Sequence, residues 1–85
     1  MSPAPHDAEW EHGDYVRIQA SGSPVGWILD IHDDGTVTIL LKNGDTRRGP
    51  IVGRGSRHGW SPAAYGFHEG RRDTIRVLRA LKLLS

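Results

Sequence analysis

The sequence predicts a mainly β protein, four to five short antiparallel strands bent into a small barrel. Three observations carry that prediction. Apolar and polar residues alternate in short runs, the signature of half-buried strands. Turn signals rich in Gly, Asp and Asn separate the runs at close intervals. At 85 residues the chain is one domain at most, and its strands have to bury their apolar face on one another. A flat sheet of that size leaves both edges open and its core half wet, whereas a barrel closes both, with glycines and bulges at the corners.

Residues 1–9, "MSPAPHDAE", are polar and hold two prolines, so they read as a tail ahead of a single domain over residues 10–85. Trp10 is the first large apolar residue and is placed to cover one end of the core. In "GDYVRIQA" Val16 and Ile18 share one face while Tyr15, Arg17 and Gln19 share the other. "SGSP" is a loop, and "VGWILDIH" is a second strand with Trp27, Leu29 and Ile31 on one side and Ile28 and Asp30 on the other. After the turn "DDG", "TVTILLK" directs Val37, Ile39 and Leu41 inward; Leu40 breaks the alternation and needs cover from another segment. Asn43-Gly44 predicts a two-residue hairpin turn with positive φ at both positions. "DTRRGPIV" is a weaker fourth strand, and Pro50 belongs at an edge or bulge because it has no N–H to give a ladder.

Residues 53–73, "GRGSRHGWSPAAYGFHEGRRD", carry five glycines and read as a long loop, with one helical turn opened by Ser61 as cap and Pro62 at the first helical position. "TIRVLRALKLLS" fits a strand or a helix by periodicity, and the expectation is a strand over 74–79 with a helical or irregular end.

Composition narrows the function. The chain has no cysteine, which excludes disulfide scaffolds and thiolate zinc sites and suits a reducing compartment. No apolar run reaches the roughly 18–20 residues of a membrane helix, and the first residues lack the apolar core of a signal peptide, so the expectation is a soluble, cytoplasmic protein. Net charge is +1, but residues 1–41 carry −6 and residues 42–85 carry +7. That asymmetry points to a polyanionic partner or to self-association; alternatively, the two halves neutralise each other in the fold.

"GDYVRI" followed by "VGWILDIHDDGTVTILLKNGD" resembles the KOW motif and its Tudor-like relatives, which are SH3-like barrels. The shared features are Gly13-Asp14, the Val16/Ile18 pair, Gly26 ahead of an apolar strand, and an Asp/Gly turn leading to a second alternating strand; they span residues 13–48. The resemblance implies RNA or ribonucleoprotein as partner. The residues agree in kind. Arg47, Arg48, Arg54, Arg57, Arg71 and Arg72 offer forked bonds to phosphate, glycines among them allow close backbone approach, and Trp60 offers a stacking plane. Against this stands a solvated loop whose arginines pair with the acidic half. By the same resemblance, Tyr15, Trp27, Tyr65 and Phe67 form a candidate aromatic cage for a methylated side chain, against the alternative that they plug the barrel ends.

The histidines, His6, His12, His32, His58 and His68, show no metal-ligand spacing, although His58 and His68 flank the aromatic segment and could meet in space. The chain has no GxSxG, P-loop or GxGxxG, and His32-Asp33-Asp34 falls in a turn open to water. The expectation is therefore a non-catalytic binding module without cofactor or metal, directed at RNA or DNA. The alternative is a protein-interaction adaptor or small inhibitor. It would use the sheet edge near Pro50 or a C-terminal apolar stripe (Val77, Leu81, Leu84) to dock a protein or a second copy.

Overall fold

The computed structural model describes residues 10–84, so the tail expected over residues 1–9 lies outside the described residues. Four strands, β1 (Tyr15–Ile18), β2 (Val25–Ile31), β3 (Thr36–Leu40) and β4 (Thr46–Arg54), are followed by one helix, α1 (Pro62–Leu84). Each strand is antiparallel to the next, and β4 returns to β1 to close the barrel. This is the small, closed antiparallel barrel the alternation predicts, with four strands.

Val16, Ile18, Ile28, Val37 and Ile39 fill the barrel, and Trp10, Ala20, Leu41 and Ile51 pack partly against them. Each fully buried aliphatic side chain contributes roughly 1.5–3 kcal/mol from apolar area removed from water. The strand alternation holds in β1 and β3 but not through β2. A bulge between Ile28 and Asp30 shifts the phase, so Ile31 pairs with Val37 and Asp30 joins the outer side. Trp27 stays on the outer wall, yet it is only 1 % exposed because α1 lies over it.

Both hairpin turns differ from the two-residue form. At residues 41–45, Leu41 N–H bonds Asp45 O at 2.7 Å, Gly44 N–H bonds Leu41 O at 3.0 Å, and only Gly44 has positive φ. The turn therefore holds three residues, with the glycine alone in the left-handed region. The Asp33–Gly35 turn repeats the pattern through His32 N–H to Thr36 O. There Asp34 accepts bonds from the Thr36 hydroxyl and amide and from Arg48, which hold its carboxyl down at about 2.

The sheet edge expected at Pro50 is closed. Pro50 stands opposite Thr36 in β3, and its carbonyl accepts from Gln19 N–H on the other side. The largest correction concerns the C-terminal third. Residues 62–84 are one helix, not a loop followed by a strand. Ser61 Oγ accepts from Ala64 N–H at 3.2 Å with Pro62 leading, which is the cap the sequence predicts. The helix continues past Gly66 and Gly70 because the barrel supplies a surface for it: His68 and Ile75 are buried against the wall. A lone helix of this length is marginal in water, and docking decides its fate. Leu40, the residue that breaks the β3 alternation, faces this helix across a shared groove.

Candidate nucleic-acid interface

α1 lies on the barrel through two kinds of contact. The first is aromatic. Trp27 Nε1–H donates to His68 Nδ1 at 2.8 Å in a buried pair. Tyr15 packs on Trp27, Trp60 and His68 with ring centroids 5.0–5.2 Å away. The second is ionic. Arg76 reaches Asp14 at 3.2 Å and His12 O at 3.1 Å, and Arg79 reaches Asp30 at 2.8 Å. The acidic first half thus meets the basic helix, and that share of the charge asymmetry is satisfied within the fold.

A cleft of about 180 Å³ lies where the end of β4, the start of β1 and one flank of α1 meet. Arg54 and Arg57 enter it from the β4 end, and His68, Arg72 and Arg76 from the helix. Positions 68, 72 and 76 fall on one helical line because residues four apart share a face. Gly13 underlies it: its φ is +92°, and a Cβ there would come within 3.0 Å of the Arg72 side chain and 3.1 Å of its carbonyl oxygen. Among these cations Arg76 is neutralised by Asp14 and Arg72 touches Asp73 at 3.3 Å. The Arg54 guanidinium lies 4.6 Å from the Trp10 ring and that of Arg57 lies 6.0 Å from the Tyr65 ring.

His68 is neutral by construction. Its Nδ1 accepts the Trp27 hydrogen bond, so the ring proton sits on Nε2, and protonation would put a second hydrogen where the indole already donates. Burial pushes the His68 pKa below its usual 6.5, and Arg57 and Arg72 add to that against a smaller pull from Glu69. A depressed folded-state pKa means the unfolded chain takes up the proton first, so stability is complete above about pH 6.5 and falls as pH drops below it. His12, also lowered by burial and by Arg79, acts in the same direction. Thermal melts between pH 7.5 and 5 are expected to show a falling midpoint. His68→Asn keeps an acceptor for Trp27 without a titrating ring, and should flatten that slope to the His12 share. An unchanged slope in His68→Asn would contradict the assignment.

Of the seven sequence-predicted nucleic-acid residues, Arg54, Arg57 and Arg72 gather in this cleft, and Trp60 joins its aromatic wall through Tyr15 and His68. The other three are engaged elsewhere. Arg47 donates to Ser21 O at 3.0 Å, and Arg48 pairs with Asp34 at 3.1 Å. Arg71 sits 4.9 Å from the Trp27 ring and 4.6 Å from the Phe67 ring while donating to Leu41 O at 2.8 Å. That last contact also corrects the aromatic cage. The chain's own Arg71 lies over Trp27 and Phe67, His68 packs on Tyr15 and Trp27, and Tyr65 packs on Trp60, so each of the four rings has a partner within the chain.

Sequence reasoning missed Arg76 and His68 as cleft residues. The signal was the spacing of four from 68 to 72 to 76, legible only if that segment is taken as helix. His58 does not meet His68; it is exposed, and its N–H bonds Ser56 Oγ. Among the described residues no group of three or more His, Asp or Glu is placed to hold a metal, and no helix is long and apolar enough to cross a membrane. Comparison of the chain with protein-family models, with curated proteins and with solved structures returns no match.

Proposed function

We propose that the chain is a non-catalytic binding module that takes the phosphate backbone of RNA or DNA into the basic cleft. The observation that carries this reading is the convergence of Arg54, Arg57 and Arg72 from two separate elements on one concave site. Guanidinium groups grip phosphate through paired N–H bonds, and a concave site brings more than one to the same stretch of backbone. The exposed Tyr65 ring, stacked edge-on to Trp60 beside Arg57, provides a face on which an unpaired base stacks. The resemblance of residues 13–48 to KOW-type barrels points to the same partner class.

Such a site binds with little sequence preference and with strong dependence on salt. For a single strand the logarithm of affinity falls with the logarithm of salt at about 0.7 per phosphate neutralised, so three arginines give a slope near −2. Fluorescence polarisation with labelled single-stranded RNA and DNA, at low and moderate salt, measures this directly. Arg54→Ala, Arg57→Ala and Arg72→Ala should each weaken binding about three- to tenfold and each reduce the slope by about 0.7. Arg48→Glu, on the far side with Asp34, should leave both unchanged. Absence of binding at low salt, indifference to salt, or equal damage by Arg48→Glu would each defeat the reading.

A further inference from the structure

The hydrogen-bond donors around the basic cleft are not equally free. The backbone N–H groups of Gly13, Asp14 and Gly55 already bond Ile28 O, Glu11 O and Tyr15 O. Arg76 is spent on His12 O and the Asp14 carboxylate. Arg54 and Arg57 make no hydrogen bond or ion pair among the described residues; each lies over an aromatic ring, Trp10 and Tyr65 respectively. Neither ring supplies an acceptor, so the forked N–H donors of both guanidinium groups remain unused. Arg72 engages the exposed carboxylate of Asp73 through Nε alone and keeps both terminal nitrogens.

His68 is set apart by its burial. It is 3 % exposed, and its Nδ1 accepts from Trp27 Nε1–H. The ring proton therefore sits on Nε2, and among the described residues nothing accepts it. His68 lines the cleft whereas Trp27 does not, so the ring edge that reaches the cleft is the one turned from the indole, which carries Nε2–H. Buried donors are rarely left without an acceptor, so one aimed into a cleft marks a place for an acceptor to sit.

We infer that the cleft seats a phosphate monoester at the end of a nucleic-acid strand, held by His68 Nε2–H and the guanidinium groups of Arg54, Arg57 and Arg72, with the following backbone leading away. The inference rests on the nucleic-acid reading and narrows it. At about 180 Å³ the cleft is smaller than the roughly 300–1,000 Å³ that holds a drug-sized ligand, so it takes one small group rather than a run of nucleotides. An internal phosphodiester offers one negative charge and a single pair of unbridged oxygens. A terminal monoester offers three such oxygens and a charge of about −1.5 to −2 at pH 7, which suits several arginines converging on one group. The neutral histidine adds a directed bond without adding charge. Asp14, the one carboxylate lining the cleft, is paired with Arg76, which offsets its repulsion of an anion.

Isothermal titration of the whole chain with unlabelled single strands of one sequence tests this. The strands carry a 5′-phosphate, a 3′-phosphate or hydroxyls at both ends; a further hydroxyl-ended strand, longer by a nucleotide, controls for added charge. A strand phosphorylated at one or other end should bind about tenfold tighter than both hydroxyl-ended strands. His68→Asn keeps an acceptor for Trp27 but does not reach where Nε2 stands, and should reduce that ratio by about threefold or more. Arg48→Glu should preserve the ratio. In the wild-type chain, inorganic phosphate should shift the nitrogen-15 resonance of His68 Nε2 saturably and leave Nδ1 unprotonated. Equal affinity for all strands, with binding still dependent on salt, would overturn the inference and leave the nucleic-acid reading standing; absence of binding by every strand would defeat both. A ratio undiminished in His68→Asn, a His68 ring indifferent to phosphate, or a phosphoserine peptide bound more tightly than either phosphorylated strand would also overturn it.

Discussion

Trp27→Ala is expected to unfold most of the population at 25 °C. Trp27 is 1 % exposed and contacts Tyr15, Phe67 and His68, so its loss removes the surface on which α1 lies. Truncation of a buried tryptophan costs about 3–5 kcal/mol, and a domain this small seldom has more than about 3–5 kcal/mol in total. The same change leaves His68 Nδ1 without its donor in a buried place. Trp27→Phe separates the two effects. It keeps an aromatic plane while deleting the N–H and part of the ring, and should cost about 1–3 kcal/mol for the unmatched acceptor plus the packing lost with the smaller ring. Urea titrations followed by circular dichroism give both values. A Trp27→Ala midpoint close to wild type would mean that the helix is held by something other than this wall.

Gly26→Ala is the second large effect, and it acts on the barrel itself. A Cβ at residue 26 would stand 2.4 Å from Leu40 O and 2.9 Å from the Leu40 carbonyl carbon. Both are backbone atoms, set beside the Trp27–Leu40 pair of the β2–β3 ladder. No rotamer relieves the overlap, so the two strands have to part. The expected loss is about 3 kcal/mol, the upper end for overpacking. Gly53→Ala is the matched control, because nothing lies within 4 Å of its Cβ position and its φ is ordinary. It should be neutral or slightly stabilising through a less flexible unfolded chain. Equal behaviour of the two variants would show that the strands tolerate a gap that the packing denies.

The barrel was legible because its determinants are local. Val16/Ile18 and Val37/Ile39 alternate at period two and do point inward, and Gly35 and Gly44 mark the turns. Leu40 was legible as a residue needing cover, since it breaks that period. The phase of β2 was not, because a bulge leaves no mark in a run of Trp, Ile and Leu. The helix was hidden by Gly53, Gly55, Gly59, Gly66 and Gly70, which resemble loop composition, although two of them lie inside α1. What overrides them is tertiary: the Trp27–His68 bond and the Asp14 and Asp30 ion pairs join residues 41 to 62 positions apart. The site suffered the same fate. Its cations could be named one by one, but which of them share a cleft depends on the helical line through 68, 72 and 76.

The order of elements has a consequence for synthesis. β4 completes the closed cylinder at Arg54, and the helix that shields Tyr15, Trp27, Leu29 and Leu40 comes entirely afterwards. At ribosomal speeds of about 5–20 residues per second, those 30 later residues take roughly 1.5–6 s to add. Until they have docked, the aromatic wall lies open, a natural point of capture for a chaperone and a natural point of loss by aggregation.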